Sequence, residues 1–161
     1  RQRKGVRAVE TRRDGSFASP SQFGVHTGGP QLVALLRDKG MLEQVRDITG
    51  NGRLIPVRCS YNFYDPGDFM GIHRDEVRAT VTGTFSITPD MPPTKYVAGS
   101  REMTNEQLEE YVSAHGSLPE DGEDMPLEAQ SLNFFDGYNI AHWRPVVDRP
   151  MILGNLVYFQ L

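Results

Sequence analysis

The stretch YDPGDFMGIHRDE, residues 64–76, places an imidazole and a carboxylate two residues apart, just behind a Pro-Gly turn. In a β-strand, side chains at i and i+2 share a face, so His73 and Asp75 are expected to point the same way. Such a pair can be an ion pair, a catalytic acid/base pair or two ligands of one metal. His142 follows His73 by 69 residues and sits in a strand-like run behind NFFDGYNIA. Two His and one carboxylate on one side of a metal leave the other side open. That arrangement suits non-haem Fe(II), because a co-substrate and dioxygen need the vacant positions. An ion pair within a strand accounts for His-x-Asp alone equally well. The other two histidines read as structural or exposed. His26 falls in a Gly-rich loop, and His115 ends a predicted helix, where a cation suits the dipole.

The elements that must position these residues follow from periodicity. GGPQLVALLRDKG predicts a helix with Pro30 in its first turn, Leu32, Leu35 and Leu36 on one face, and Gly40 as its stop. MLEQVRDITGNG predicts a second short helix ended by Gly50. The period then changes: LIPVRCSYNFY and RATVTGTFSI are rich in β-branched and aromatic residues and predict strands. TNEQLEEYVSAHG predicts a helix with Thr104 as N-cap, Gln107 closing a capping box and Gly116 past its end. Around it, residues 102–128 hold nine Asp/Glu and no Lys/Arg. This acidic stretch is expected to be a solvated insertion, 93–128, doubling as a lid. AQSLNFFDG, YNIAHWRPVV and RPMILGNLVYFQL return to strands, while residues 1–29 read as strand plus loop. The expected class is α+β, mainly β, with a sandwich or barrel as the body.

Composition bounds the function. A chain of 161 residues is long enough for one domain with a real core, and 38% hydrophobic with 24% charged residues is ordinary for a soluble protein. The longest apolar runs are too short to span a membrane, and no signal-peptide pattern is present. The sequence opens RQRKGVRAVETRR without an initiator Met, as expected of a trimmed stretch of a longer protein. Cys59 is the only cysteine, which excludes an internal disulfide and a thiolate zinc cluster and points to a reducing cytoplasm. The net charge of −4 is uneven: residues 1–58 carry 11 Lys/Arg against 5 Asp/Glu, and residues 59–161 carry 6 against 16. The basic end suits either an anionic partner or a solvated tail.

YNFYDPGDFMGIHRDE, VTGTFSI and SLNFFDGYNIAHWRPVVDRP together resemble the Fe(II)/2-oxoglutarate-dependent dioxygenases, over roughly residues 54–160. The resemblance implies a double-stranded β-helix (jelly-roll) core at 54–161 carrying the 93–128 insertion, with 1–53 as N-terminal arm and supporting helices of a single domain. It implies Fe(II) on His73, Asp75 and His142, a turn at Asp136-Gly137 before the distal strand, and 2-oxoglutarate as co-substrate. The family's basic residue for the distal carboxylate maps onto Arg149, with Arg144 as its rival. A guanidinium suits that role, since its planar fork binds a carboxylate through two hydrogen bonds. NFYDPG resembles the segment that precedes the triad in AlkB-like demethylases, which implies Asn62 and Tyr64 as further co-substrate contacts.

The activity implied is hydroxylation of a small molecule, such as an amino acid or natural-product intermediate, with dioxygen as second substrate. Halogenases of the class lack the carboxylate ligand, and Asp75 is present. The second Arg of AlkB-like enzymes is missing from GNLVYFQL, so nucleic-acid demethylation is the weaker alternative. A cupin-like metal isomerase or ligand-binding protein is the alternative from another class, distinguished by having no need of a carboxylate clamp. Arg12, Arg13, Phe17 and Phe23 are candidate substrate contacts, although their spacing forms no motif.

Overall fold

The computed structural model describes residues 2–76, 79–125, 127 and 131–161. Four strands open the chain: β1 (Gln2–Val6), β2 (Glu10–Thr11), β3 (Phe17–Ala18) and β4 (Ser21–Thr27). Two helices follow, α1 (Pro30–Leu36) and α2 (Lys39–Thr49), then β5 (Leu54–Tyr64), β6 (Phe69–His73), β7 (Val81–Ser86) and β8 (Thr94–Tyr96). A 3-10 turn at Ser100–Glu102 leads into α3 (Asn105–His115). The chain closes with β9 (Glu123–Met125), β10 (Asn133–Phe135), β11 (His142–Arg144) and β12 (Met151–Gln160). The strands form one curled antiparallel sheet in the order β10-β7-β12-β5-β4-β6-β11-β8-β9, with β1 paired to β4 and β3 to β6. This is the expected mainly-β, double-stranded β-helix architecture. Among the described residues, no helix is long and apolar enough to cross a membrane.

The helix boundaries show which local signals mattered. Gly50 ends α2 in the left-handed region, φ 65°, and Thr104 and Gln107 form a complete capping box on α3, both as expected. Gly40 does not stop α1. Asp38 starts α2 two residues earlier, its carboxylate accepting from the Met41 amide at 2.8 Å, and Gly40 lies within the first turn. An N-cap carboxylate satisfies an amide that the helix leaves unpaired, which outweighs the cost of one glycine.

Three clusters make the core. α1 and α2 cover the outer face of β5 and β12 through Leu32, Leu36, Val45, Leu54 and Leu156. Tyr64, Met151 and Leu153 anchor a second cluster. The third lies around β6 and β11, where Phe17, Ile72, Ala141 and Trp143 meet Val97, Leu108 and Val112. The last three belong to the 93–128 stretch, which corrects the expected solvated lid. Leu108 is 0% exposed and Val112 is 5% exposed, so α3 is a core element around the strands that bear His73 and His142. The acidic residues occupy its other face, and the i, i+4 spacing of Leu108 and Val112 puts both on the buried one. Pro126 and Glu128 of this stretch lie outside the described residues, as do Ala129 and Gln130 of the strand expected from AQSLNFFDG and Arg78 of the one expected from RATVTGTFSI. The N-terminal arm is likewise integral, because β4 lies between β5 and β6.

Candidate metal centre and its cavity

β6 and β11 run antiparallel with His142 directly opposite His73. Their rings stand 4.1 Å apart, centroid to centroid. β6 ends at His73, so strand alternation alone does not place Asp75. It is set by its own amide, which donates to the Gly137 carbonyl at 2.8 Å. The next contact explains the Asp-Gly turn. A Cβ at Gly137 would lie 2.0 Å from Asp75 Oδ2, so only glycine lets the distal segment approach the carboxylate. Thr82 of β7 donates its hydroxyl to the same oxygen at 2.5 Å. The three side chains thus converge: one ligand atom from each lies within 4.8 Å of the others.

Each imidazole is held in a defined tautomer. His73 Nδ1 is 3.0 Å from the Gly71 carbonyl, and His142 Nδ1 is 2.8 Å from the Ile140 carbonyl. A carbonyl can only accept, so Nδ1 is the donor in both rings and Nε2 is the nitrogen turned to a metal, as in metal-binding histidines. Burial, helped by the neighbouring His142, pushes the His73 pKa down to about 3, so the ring is neutral at neutral pH. Burial pushes Asp75 up, but His142, His73 and the Thr82 hydroxyl outweigh it and hold the carboxyl below the usual range. His73 and Asp75 are therefore already deprotonated, and a donor set of two imidazoles and one carboxylate fits a divalent cation such as Fe(II).

A cavity of about 720 Å³ opens beside this triad. Asn62 and Tyr64 line it from β5, and Phe135 lines it while standing edge-on to His142 with centroids 4.8 Å apart. Arg144 lines it as well, with only 2% of its surface exposed. Its guanidinium donates to the Pro92 carbonyl at 2.6 Å and to the Thr94 hydroxyl, and lies 5.8 Å from the centre of the Tyr64 ring. Among the described residues no carboxylate pairs with it. The Tyr64 hydroxyl is buried beside the Asn62 side chain and this guanidinium, without a hydrogen bond of ordinary geometry to either. A desolvated cation with no carboxylate partner is costly unless an anion completes the site.

Arg149 is elsewhere. It precedes β12, its side chain is 57% exposed, it pairs with the exposed Asp148 at 3.1 Å, and it is not among the residues lining the cavity. Of the two arginines weighed for the clamp, only Arg144 therefore lines the cavity that holds the triad. Sequence reasoning also missed Thr82, Arg58 and Ser60. The last two were findable, because Tyr64, Asn62, Ser60 and Arg58 recur every second residue along β5 and all line the cavity.

No protein-family model and no curated protein matches the sequence. Solved structures do match. HygX from Streptomyces hygroscopicus, with nickel and 2-oxoglutarate bound, superposes with a TM-score of 0.64 at 12% identity, over 86% of this chain and 70% of HygX. The carbocyclase SnoK from nogalamycin biosynthesis gives 0.63 at 15% identity, over 98% and 68%. A Pseudomonas putida prolyl-4-hydroxylase gives 0.54 at 14%, over 89% and 71%. The chain therefore has the double-stranded β-helix fold that these 2-oxoglutarate-dependent oxygenase structures share.

Proposed function

We propose that the protein is an Fe(II)- and 2-oxoglutarate-dependent oxygenase that hydroxylates a small molecule such as an amino acid or natural-product intermediate. The observation that carries this reading is a buried guanidinium without a carboxylate partner, Arg144, in the same cavity as His73, Asp75 and His142. Nε2 of each histidine and the Asp75 carboxylate would hold the iron. Arg144 and the Tyr64 hydroxyl would hold the distal carboxylate of 2-oxoglutarate, with Asn62 beside them. When bound, iron and 2-oxoglutarate supply the oxidising power: dioxygen is consumed, 2-oxoglutarate becomes succinate and carbon dioxide, and a substrate C–H becomes C–OH.

The chain's own residues do the rest. Backbone carbonyls lock both tautomers, Thr82 keeps Asp75 ionised and aimed, and Phe135 screens His142 from water. Asp75 supplies the third protein ligand, which favours oxygen transfer over halogenation. The fold neighbours support a small substrate, since one is a carbocyclase from nogalamycin biosynthesis and HygX has been seen with hygromycin B bound. A cupin-like isomerase or binding protein would share the triad, yet would have no use for Arg144. The single, unpaired Cys59 and a ferrous site together suit a reducing cytoplasm.

Anaerobic addition of Fe(II) and 2-oxoglutarate tests this directly. The expected result is the weak visible charge-transfer band of the chelate in the wild type, absent in Asp75→Ala, with slow succinate release when air is admitted. Iron-loaded protein that gives neither band nor succinate would overturn the oxygenase reading and favour the cupin-like one.

A further inference from the structure

Besides Arg144, the cavity has a second and more exposed set of cations. Arg12, just past β2, and Arg58, on β5, both line it. The two reach the cavity of the triad from segments far apart in the sequence. Each is half-exposed and held by one surface carboxylate: Arg12 by Glu10 at 3.6 Å, Arg58 by Glu76 at 2.8 Å. Exposed pairs of this kind are weak and exchange readily.

Their positions are built into the fold. Arg12 opens a tight turn in which its amide donates to the Ser16 carbonyl and its carbonyl accepts from Gly15. The carbonyl of Gly15 in turn accepts from Asn105 at the start of α3, at 2.8 Å. Arg58 sits beside the bulge where β5 gains one residue on β12, between the pairs Arg58↔Val157 and Pro56↔Tyr158.

Charge decides what such a cavity takes. Among the described residues lining it there are three guanidinium groups and one carboxylate, Asp75, in a chain whose net charge is −4. On the proposed reading, the iron and Asp75 together keep one positive charge. With that, Arg144 balances the two negative charges of 2-oxoglutarate, and Arg12 and Arg58 are left with the exchangeable partners Glu10 and Glu76, neither of which lines the cavity. A volume of about 720 Å³ also leaves room for a second small molecule.

We propose that the substrate is a small anion whose carboxylate or phosphate is bound by Arg12 and Arg58 at the mouth of the cavity. This inference rests on the oxygenase reading for its chemistry, but its test is a binding measurement. Nickel-loaded protein saturated with 2-oxoglutarate is titrated calorimetrically with inorganic phosphate, a set of N-acetyl-amino acids and sugar phosphates, and the neutral amides of the same amino acids. At least one anion should bind better than its neutral counterpart, and the carboxylate and phosphate arms show which group is preferred. The Arg12→Gln/Arg58→Gln double variant should lose about tenfold or more of that affinity, as expected for charge-assisted pairs. Arg13→Gln, one residue away and outside the cavity, should keep it, and melting curves verify that both variants fold. Neutral ligands binding as well as anions, undiminished affinity in the double variant, or no anion binding at all would each overturn the proposal. If wild-type protein binds 2-oxoglutarate but no anion, only this inference fails; if it does not bind 2-oxoglutarate, the oxygenase reading fails with it.

Discussion

The two ends of the cavity use the same side chain in opposite ways. At the inner end, Arg144 is buried and meets only neutral acceptors, Pro92 and Thr94. At the mouth, Arg12 and Arg58 are half-exposed and rest on carboxylates of their own chain. A guanidinium in water forgives a missing partner, whereas a desolvated one does not. On the proposed reading, the inner end waits for one particular anion, and the mouth trades one carboxylate for another.

The largest effect is expected from breaking the inner end. Arg144→Gln should weaken 2-oxoglutarate binding by about 2–5 kcal/mol, the range for truncating one partner of a buried charge pair. Arg149→Gln should leave it unchanged, and calorimetry on the nickel-loaded protein measures both. Equal losses in the two variants would erase the distinction between buried and exposed arginines.

Leu108→Ala probes what supports that end from behind. A fully buried leucine truncated in a packed core costs about 2–5 kcal/mol, readable as a lowered denaturation midpoint. A loss below about 0.5 kcal/mol, the size expected of a surface position, would restore the insertion to the status of a lid.

The buried triad should also make the metal-free protein acid-sensitive. Unfolded chain protonates His73 near the ordinary value of 6.5, while the folded site refuses that proton down to about 3. The unfolded state therefore binds more protons across this window, and stability falls as pH drops through it, by up to about 1.4 kcal/mol per pH unit. The depressed Asp75 adds in the same direction at the acid end of the window. Urea melts at pH 7, 6, 5 and 4 test this, and a flat profile would contradict it.

The smallest effect belongs to the mouth. Glu76→Gln removes the partner of Arg58, and stability should change by less than about 1 kcal/mol. A larger loss would mean that Arg58 is structural and that the contrast between the two ends is false.

How much of this was legible beforehand differs by the range of the interaction involved. His73, Asp75 and His142 could be read because residue type and spacing carry ligand chemistry directly. The α3 capping box was legible because all its partners lie within four residues. Arg144 and Arg149 could not be ranked, since their difference lies in where β12 begins. Met151 is the first paired residue, opposite Tyr64, which leaves Arg149 in the exposed turn before it. The burial of α3 was hidden for another reason: its acidic face dominates the composition, while two apolar positions one turn apart decide the packing. Arg74 illustrates the same blindness to distance. Lying between two ligands, it looks like a surface charge. In the structure it is 8% exposed and donates to Ser100, Met103 and Asn105, tying β6 to the start of α3.

Gly137 carries one consequence into the comparison of sequences. Its missing side chain is the space that the Asp75 carboxylate occupies, so the two positions cannot vary independently. A homologue with any larger residue at 137 must either swing the carboxylate away or have given it up. A homologue that has replaced Asp75 by alanine or glycine regains the freedom to carry a side chain at 137. Among relatives of this chain, position 137 should therefore mark which ones keep a carboxylate at the centre, even where alignment around the His-x-Asp segment is ambiguous.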